Sequence, residues 1–273
     1  MKCLKELICA GTTITQNGIS QLFKIEKFDS SCNGFLNDVN HLTKLKDLTC
    51  TTSSYNFLYA KCALSHHGFS KLTNLIKLNC TCNVNISHLN NNINLKELCC
   101  RGSSTNIDQN TIDNLTKLVK LDCSNNKNIN NLEKLSNLKE LHCEGDTITQ
   151  ENIIKLRKLE ILSCSYNPNI VDVNHLQNLR VLKCNNDSGI TQTGIDKLNK
   201  IENLDCVNNS KIIKVNHMEK LKNIRFSEES SIEKNGFNKL AKIDICCEYG
   251  KFSDKYTYYK IYNNIKVGVH KLY

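Results

Sequence analysis

The pattern L-x-x-L-x-C governs what this chain can fold into, because it returns in the same frame along almost the whole length. It reads Leu4-Leu7-Cys9, Leu45-Leu48-Cys50, Leu75-Leu78-Cys80, Leu95-Leu98-Cys100 and Leu118-Leu121-Cys123. It continues as Leu138-Leu141-Cys143, Leu159-Leu162-Cys164, Leu179-Leu182-Cys184 and Ile201-Leu204-Cys206. Two further copies carry Ser30 (after Ile25 and Phe28) and Phe226 (after Leu221 and Ile224) at the sixth position. That makes eleven full units, and a degraded twelfth begins at Ile243. Positions four and six are two apart, so on a strand they face the same side. One short strand per unit, always in the same register, stacks into a parallel sheet with an apolar ladder behind it.

A second period lies over the first, because the units alternate between two types. The shorter begins at residues 25, 75, 118, 159 and 201 and places Asn33, Asn83, Asn126, Asn167 or Asn209 at its ninth position. A buried turn needs a side chain that both donates and accepts, and Asn does. The longer type begins at 4, 45, 95, 138, 179 and 221 and holds Thr12, Ser53, Ser103, Asp146, Asp187 or Glu229 there. It continues into a pattern such as Ile148, Ile153 and Leu156, which suits a turn feeding a short helix with one buried stripe. Thr15, Ser65, Asp108, Thr149 and Thr191 fall where an N-cap belongs. Gly18, Gly68, Gly194 and Gly236 recur where a close backbone approach is expected.

These units resemble the leucine-rich-repeat family, with Cys replacing the third Leu of its L-x-x-L-x-L-x-x-N pattern. The longer type resembles the cysteine-containing subclass, and the shorter a compact, helix-poor one. The alternating Cys-bearing units and the Asn, Lys and Ile bias also look like leucine-rich-repeat proteins of amoeba-infecting giant DNA viruses. The resemblance implies an α/β fold: a leucine-rich-repeat solenoid with a parallel sheet on the concave face and short helices or turns on the convex face. It is expected over residues 1–245. Residues 246–273 hold six of the nine tyrosines and alternate well enough for a β-hairpin cap, which a solenoid needs to shield its last repeat.

Composition narrows the functional classes. An apolar share of 40% excludes wholesale disorder. No segment approaches the roughly 20 apolar residues of a membrane helix, and Lys5 and Glu6 break the first apolar run. With no export signal read, a reducing cytoplasmic setting is the expectation, and free thiols with it. Nine of the sixteen cysteines occupy the inward sixth position. Sulfurs on stacked strands form a line at about 4.8 Å spacing, not the tetrahedron of a zinc site. Cys32, Cys82 and Cys99 are expected on the open face.

Candidate chemistry is sparse. Cys99, Asp122 and His142 share the fifth position of successive units, but Asp122 separates the thiol from the histidine that would have to activate it at about 3 Å. His41, His175 and His217 share the seventeenth position of shorter units two or more repeats apart, which suits no metal site. No phosphate-binding loop, dinucleotide fingerprint or hydrolase motif occurs. The reading is therefore no enzyme, no cofactor, no metal and no membrane partner. The net charge of +9 is dispersed by the repeat, with acids interleaved.

A non-enzymatic scaffold for a protein partner follows from the shape. The alternatives are a substrate-recognition subunit or effector in a ubiquitin-type pathway, and a basic surface for nucleic acid. Partner-binding candidates on the open face are Arg101, Asp122, His142, Glu144, Lys183, Asp205 and Arg225, all expected to be solvated. A second candidate is the rim insertion between Ser53 and Leu64, residues 54–63, which carries Tyr55, Phe57 and Tyr59.

Overall fold

The computed structural model describes residues 3–53, 61–227 and 232, together with the backbone of three later strands. The chain divides into two compact units, Met1–Leu138 and Lys139–Tyr273. Each is a leucine-rich-repeat solenoid, with one strand per turn.

In the first unit the strands are β1 (Glu6–Ile8), β2 (Lys27–Asp29), β3 (Asp47–Thr49), β4 (Lys77–Asn79), β5 (Glu97–Cys99) and β6 (Lys120–Asp122). All pair in parallel, and the fourth repeat positions meet in a line: Leu7, Phe28, Leu48, Leu78, Leu98 and Leu121. The second unit repeats this with β7 (Glu140–His142), β8 (Ile161–Ser163), β9 (Val181–Lys183), β10 (Asn203–Asp205) and β11 (Asn223–Ser227). There the line is Leu141, Leu162, Leu182, Leu204 and Ile224. β12 (Lys242–Glu248) adds in parallel to β11, and β13 (Tyr256–Tyr262) and β14 (Ile265–Lys271) follow antiparallel.

The side opposite the sheet carries short elements, all in longer units: α1 (Gln16–Ile19), α2 (Gln109–Asn114), α3 (Gln150–Ile153) and a 3-10 turn, His66–Phe69. The expected caps are used unequally. Asp108 accepts from the Thr111 N–H at 2.9 Å, whereas Thr149 donates through both its N–H and its hydroxyl to Asn152 Oδ1. Thr191 corrects the expectation of a helix, since its hydroxyl takes the Gly194 N–H in a turn that never becomes helical. Gly68 and Gly194 are required: a Cβ on either would lie 2.1 Å from a carbonyl oxygen, of Asn37 or Val171. Gly18 departs from that expectation, meeting only the Ile14 side chain at 3.3 Å. Gly236 lies outside the described residues.

The turn after each strand explains the two-unit period. Every eighth position of a shorter unit has positive φ: Cys32, Cys82, Asn125, Tyr166 and Asn208 lie between 53° and 58°. Four longer units share this turn, with Gly11, Gly102, Gly145 and Asn186 at positive φ, but only the shorter unit follows it with the repeated Asn, which is buried in the core. Asn167 donates to Cys143 O at 3.2 Å and Ile148 O at 2.9 Å, and its Oδ1 accepts from the Asn169 N–H at 2.9 Å. Asn83 does the same toward Cys50 O, Leu64 O and the Asn85 N–H. Asn126 and Asn209 repeat it toward Cys100 and Ile107, and Cys184 and Ile190. In each case the acceptors belong to the preceding longer unit, so one buried carboxamide serves two units.

The nine sixth-position thiols all point inward, none more than 4% exposed. Their role goes beyond filling space. The Sγ of Cys9, Cys80 and Cys206 lies 3.2, 3.4 and 3.4 Å from the fifth-position carbonyl of the next strand. The same carbonyls already accept the backbone N–H of the same cysteine, so the thiol adds a second donor to each. Ser30 breaks the ladder: its hydroxyl is buried without a hydrogen-bond partner. Burial pushes the Cys9 thiol up to about 11 and the Cys164 thiol up to about 12.

Three outcomes follow. Ser30→Cys is expected to stabilise the chain by about 1 kcal/mol, by removing an orphaned hydroxyl, and Asn167→Ala to cost about 3 kcal/mol, by stranding two carbonyls and one N–H. Denaturant titration of the variants measures both, and a stabilised Asn167→Ala would contradict the clamp. Unfolded thiols ionise above about pH 8.5, whereas the folded ladder stays protonated to about 11 at Cys9 and about 12 at Cys164. The unfolded chain therefore binds fewer protons in that window, and stability falls as pH rises, by up to ~1.4 kcal/mol per pH unit for each thiol. Cys164→Val should flatten this slope, and equal stability at pH 8 and pH 10.5 would show that the ladder is not buried.

Candidate functional site

The outward positions of the strands form the candidate surface, and each unit is described by itself. In the first unit Arg101 is exposed, while Asp122 is half-buried and accepts the Ser124 N–H at 3.0 Å. Cys99 lies beside Asp122, with its Sγ 3.5 Å from Oδ2 and 3.1 Å from the Thr81 hydroxyl. Burial first, then the Asp122 charge, raises the Cys99 thiol above its ordinary range. A nucleophilic cysteine needs the opposite shift. Cys99 is thus half-buried and hydrogen-bonded, not openly displayed, and the fifth-position row does not activate it.

In the second unit His142 Nε2 lies 2.8 Å from Glu140 Oε1 on its own strand. Glu144 accepts from the Ser163 hydroxyl at 3.1 Å, and Lys183 is exposed. Asp205 corrects the expectation of a fully solvated row, being only 8% exposed. Its Oδ2 pairs with Arg225 Nη1 at 2.7 Å across adjacent strands, while its Oδ1 is buried without a partner. Removal of Arg225 would leave a poorly solvated carboxylate, so this pair couples the surface to stability. Tyr55, Phe57 and Tyr59 lie outside the described residues. The residues that follow pack on the solenoid: Cys62 is 1% exposed, its Sγ lies 3.4 Å from Ser30 O, and the Ala63 N–H reaches Asn33 O.

A feature overlooked in the sequence runs along positions two and three. Longer units all place a cation at position two and four of the six follow it with an acid, as in Lys5-Glu6, whereas shorter units carry an acid at position two (Glu26, Glu160, Glu202) or a cation at position three (Lys27, Lys77, Lys120). Parallel stacking sets opposite charges side by side: Lys5 to Glu26 at 2.9 Å, Lys27 to Glu6 at 2.8 Å and Lys77 to Glu97 at 2.7 Å. In the second unit Lys139 meets Glu160 at 2.9 Å, and Glu202 takes both Lys222 and Arg180 at 2.6 Å. Hydrogen bonds from Lys222 and then Arg180 hold the Glu202 carboxyl below its usual range. These exposed pairs stabilise little, but they neutralise most of the cations along this border.

The repeated histidines have a structural task. Nε2 of His41, His175 and His217 lies 3.0, 3.1 and 3.0 Å from the carbonyls of Ile19, Ile153 and Ile195, each in the preceding longer unit. Glutamines add a clamp in the other direction. Gln150 donates to Asp172 O and accepts from the Val171 and Asp172 N–H groups, and Gln109 does the same at Asn130 and Asn131. The signal was present in the sequence as a Gln directly after four of the five caps: Gln16, Gln109, Gln150 and Gln192. Among the described residues no group of three or more His, Cys, Asp or Glu side chains is placed to hold a metal ion. No helix among them is long and apolar enough to cross a membrane.

No protein-family model matches the chain, and no curated protein does either. Solved structures are similar to it in fold, among them two from Listeria monocytogenes. The functional domain of InlJ from Listeria monocytogenes, described as including a cysteine ladder, aligns with a TM-score of 0.60 at 23% identity, over 92% of this chain. The chain spans 65% of that domain's length. The internalin InlF from Listeria monocytogenes strain 4b F2365 aligns with a TM-score of 0.56 at 18% identity, over 92% of this chain and 87% of that one. At these identities the likeness concerns the fold: this chain is a leucine-rich-repeat solenoid of internalin-like architecture, with its own inward row of cysteines.

Proposed function

We propose that the chain is a non-enzymatic scaffold that binds a protein partner on the exposed sheet face or at the rim insertion. The observation that carries this reading is the fixed register of the outward side chains. Lys183, Asp205 and Arg225 sit opposite one another on consecutive strands, and behind them the Asn209 carboxamide bonds Cys184 O and the Cys206 thiol bonds Arg225 O. A partner meeting such a surface loses little free energy to ordering it. The mixed charge of these positions fits a polar interface of moderate affinity. The raised thiol of Cys99 and the Glu140-paired His142 give no acid–base or nucleophile set to compete with this reading. In the same reading, the β12–β14 segment caps the last repeat.

The test combines stability and binding. Lys183→Glu is expected to leave the melting temperature within the small range of surface substitutions, about 0.5 kcal/mol, while removing partners found by proximity labelling in the native host. Asp205→Lys is expected to lose both, because it places a second cation against Arg225. Shortening the insertion over residues 54–60, with Cys62 kept, should fold normally and lose rim-bound partners. Unchanged partner sets in Lys183→Glu and in the shortened chain would reject the scaffold reading.

A further inference from the structure

Of the five cap positions in longer units, only Ser65 is not followed by glutamine; His66 stands there instead. Gln109, Gln150 and Gln192 each accept two N–H groups of the next coil through Oε1. These belong to Asn130 and Asn131, to Val171 and Asp172, and to Ile213 and Lys214. The equivalent groups beside His66 are the N–H groups of Ser87 and His88, and neither has an acceptor among the described residues.

An imidazole cluster takes the place of the carboxamide. The His66 ring lies 3.8 Å from the His88 ring and 4.1 Å from the His67 ring, centroid to centroid, tilted 47° to both. His66 Nδ1 is 3.2 Å from Asn85 O and 3.4 Å from the Ser87 hydroxyl, which in turn lies 3.1 Å from His88 Nδ1. A carbonyl only accepts, so His66 carries a proton on Nδ1, and the hydroxyl donates to a bare His88 Nδ1. A proton on His88 Nδ1 removes that acceptor and sets a charge against the His66 ring.

No carboxylate pairs with any of the three histidines among the described residues. On the coil before, Asn40 donates to His67 O at 2.9 Å, the Asp38 carboxylate accepts the Asn40 N–H, and His41 is turned to Ile19 O. On the coil after, the Asp108 carboxylate accepts the Thr111 N–H and hydroxyl. The cation on the same turn, Lys71, adds charge of the same sign. Burial first, then the charges of His88 and His67, holds His66 below the ordinary histidine range, against the pull of the Asn85 carbonyl.

We propose that His66, His67 and His88 form an acid-sensitive clasp between the third and fourth coils of the first unit, closed while the rings are neutral and opened by protonation. Rings stacked at this spacing repel once both are charged, and the half-buried His66 loses hydration that a charged ring needs. The opened turn takes up protons below the ordinary histidine pKa of about 6.5, whereas closed His66 does so only at lower pH. The closed form is therefore stable above that value and loses stability as pH falls. The Gln109 clamp, two coils on, has no such group.

Hydrogen exchange followed by NMR on the full chain, at pH 7.5 and pH 5.5, tests the clasp. Protection of the Gly68, Ser70 and Leu72 amides is expected to fall about tenfold at the lower pH, as for the uptake of one proton over a pH unit. Protection of the Ile112 and Leu115 amides at the Gln109 clamp should stay constant, and the His66 ring signals should titrate below about 6.5. His66→Gln should protect the Ser87 and His88 amides and abolish the pH dependence. His88→Asn, which copies Asn131, should weaken the dependence by removing the facing charge. Protection at Gly68, Ser70 and Leu72 that does not change with pH, or that falls equally in both variants, overturns the clasp.

Discussion

The buried carboxamide of the shorter unit's Asn is the contact on which the rest of the structure depends. A solenoid turn must leave the strand at once, which strands backbone carbonyls in the core. Water cannot reach them there, since Asn33, Asn83 and Asn167 are fully buried. Each Asn supplies two donors to the longer unit before it and one acceptor to its own chain two residues on. The longer unit needs no Asn of its own, because its carbonyls are already served. Its turn is free to lengthen, form a helix or carry an insertion. The two-unit period is thus a division of labour between a turn that clamps and a turn that varies.

The cysteine ladder and the glutamine clamps work from the same constraint. A thiol at position six is small enough for the core and still donates to a carbonyl one strand away. Leu would fill the slot without that donor. On the opposite side Gln109 and Gln150 satisfy the next shorter unit's N–H groups and carbonyl, and His175 returns a bond to the preceding helix. Hydrogen bonds from thiol, carboxamide and imidazole groups therefore tie longer units to the shorter units that follow them at several points around the coil, which holds the outward side chains in register.

The frame was legible in the sequence because period and register are one-dimensional. Positions four, six and nine recur at fixed offsets, and the structure places Leu121, Cys123 and Asn126 inward as those offsets require. What could not be read were contacts whose partners lie a full coil away. Asp205 looked solvated because its own strand is polar, and it is buried because Arg225 on the next strand covers it. His41 looked like an idle repeat residue, and its partner is a carbonyl 22 residues earlier. The alternating signs at positions two and three were visible, but they become ion pairs only once parallel stacking is assumed.

Exchange of the Asn side-chain amide protons tests this account most directly. After transfer to deuterated water, NMR should show the carboxamide protons of Asn33, Asn83, Asn126, Asn167 and Asn209 persisting as long as the backbone amides of the ladder cysteines. Those of exposed asparagines such as Asn90 and Asn110 should vanish first. Loss of the five at the exposed rate would show that the carboxamides do not clamp the turns, and the explanation of the alternating repeat would fall with them.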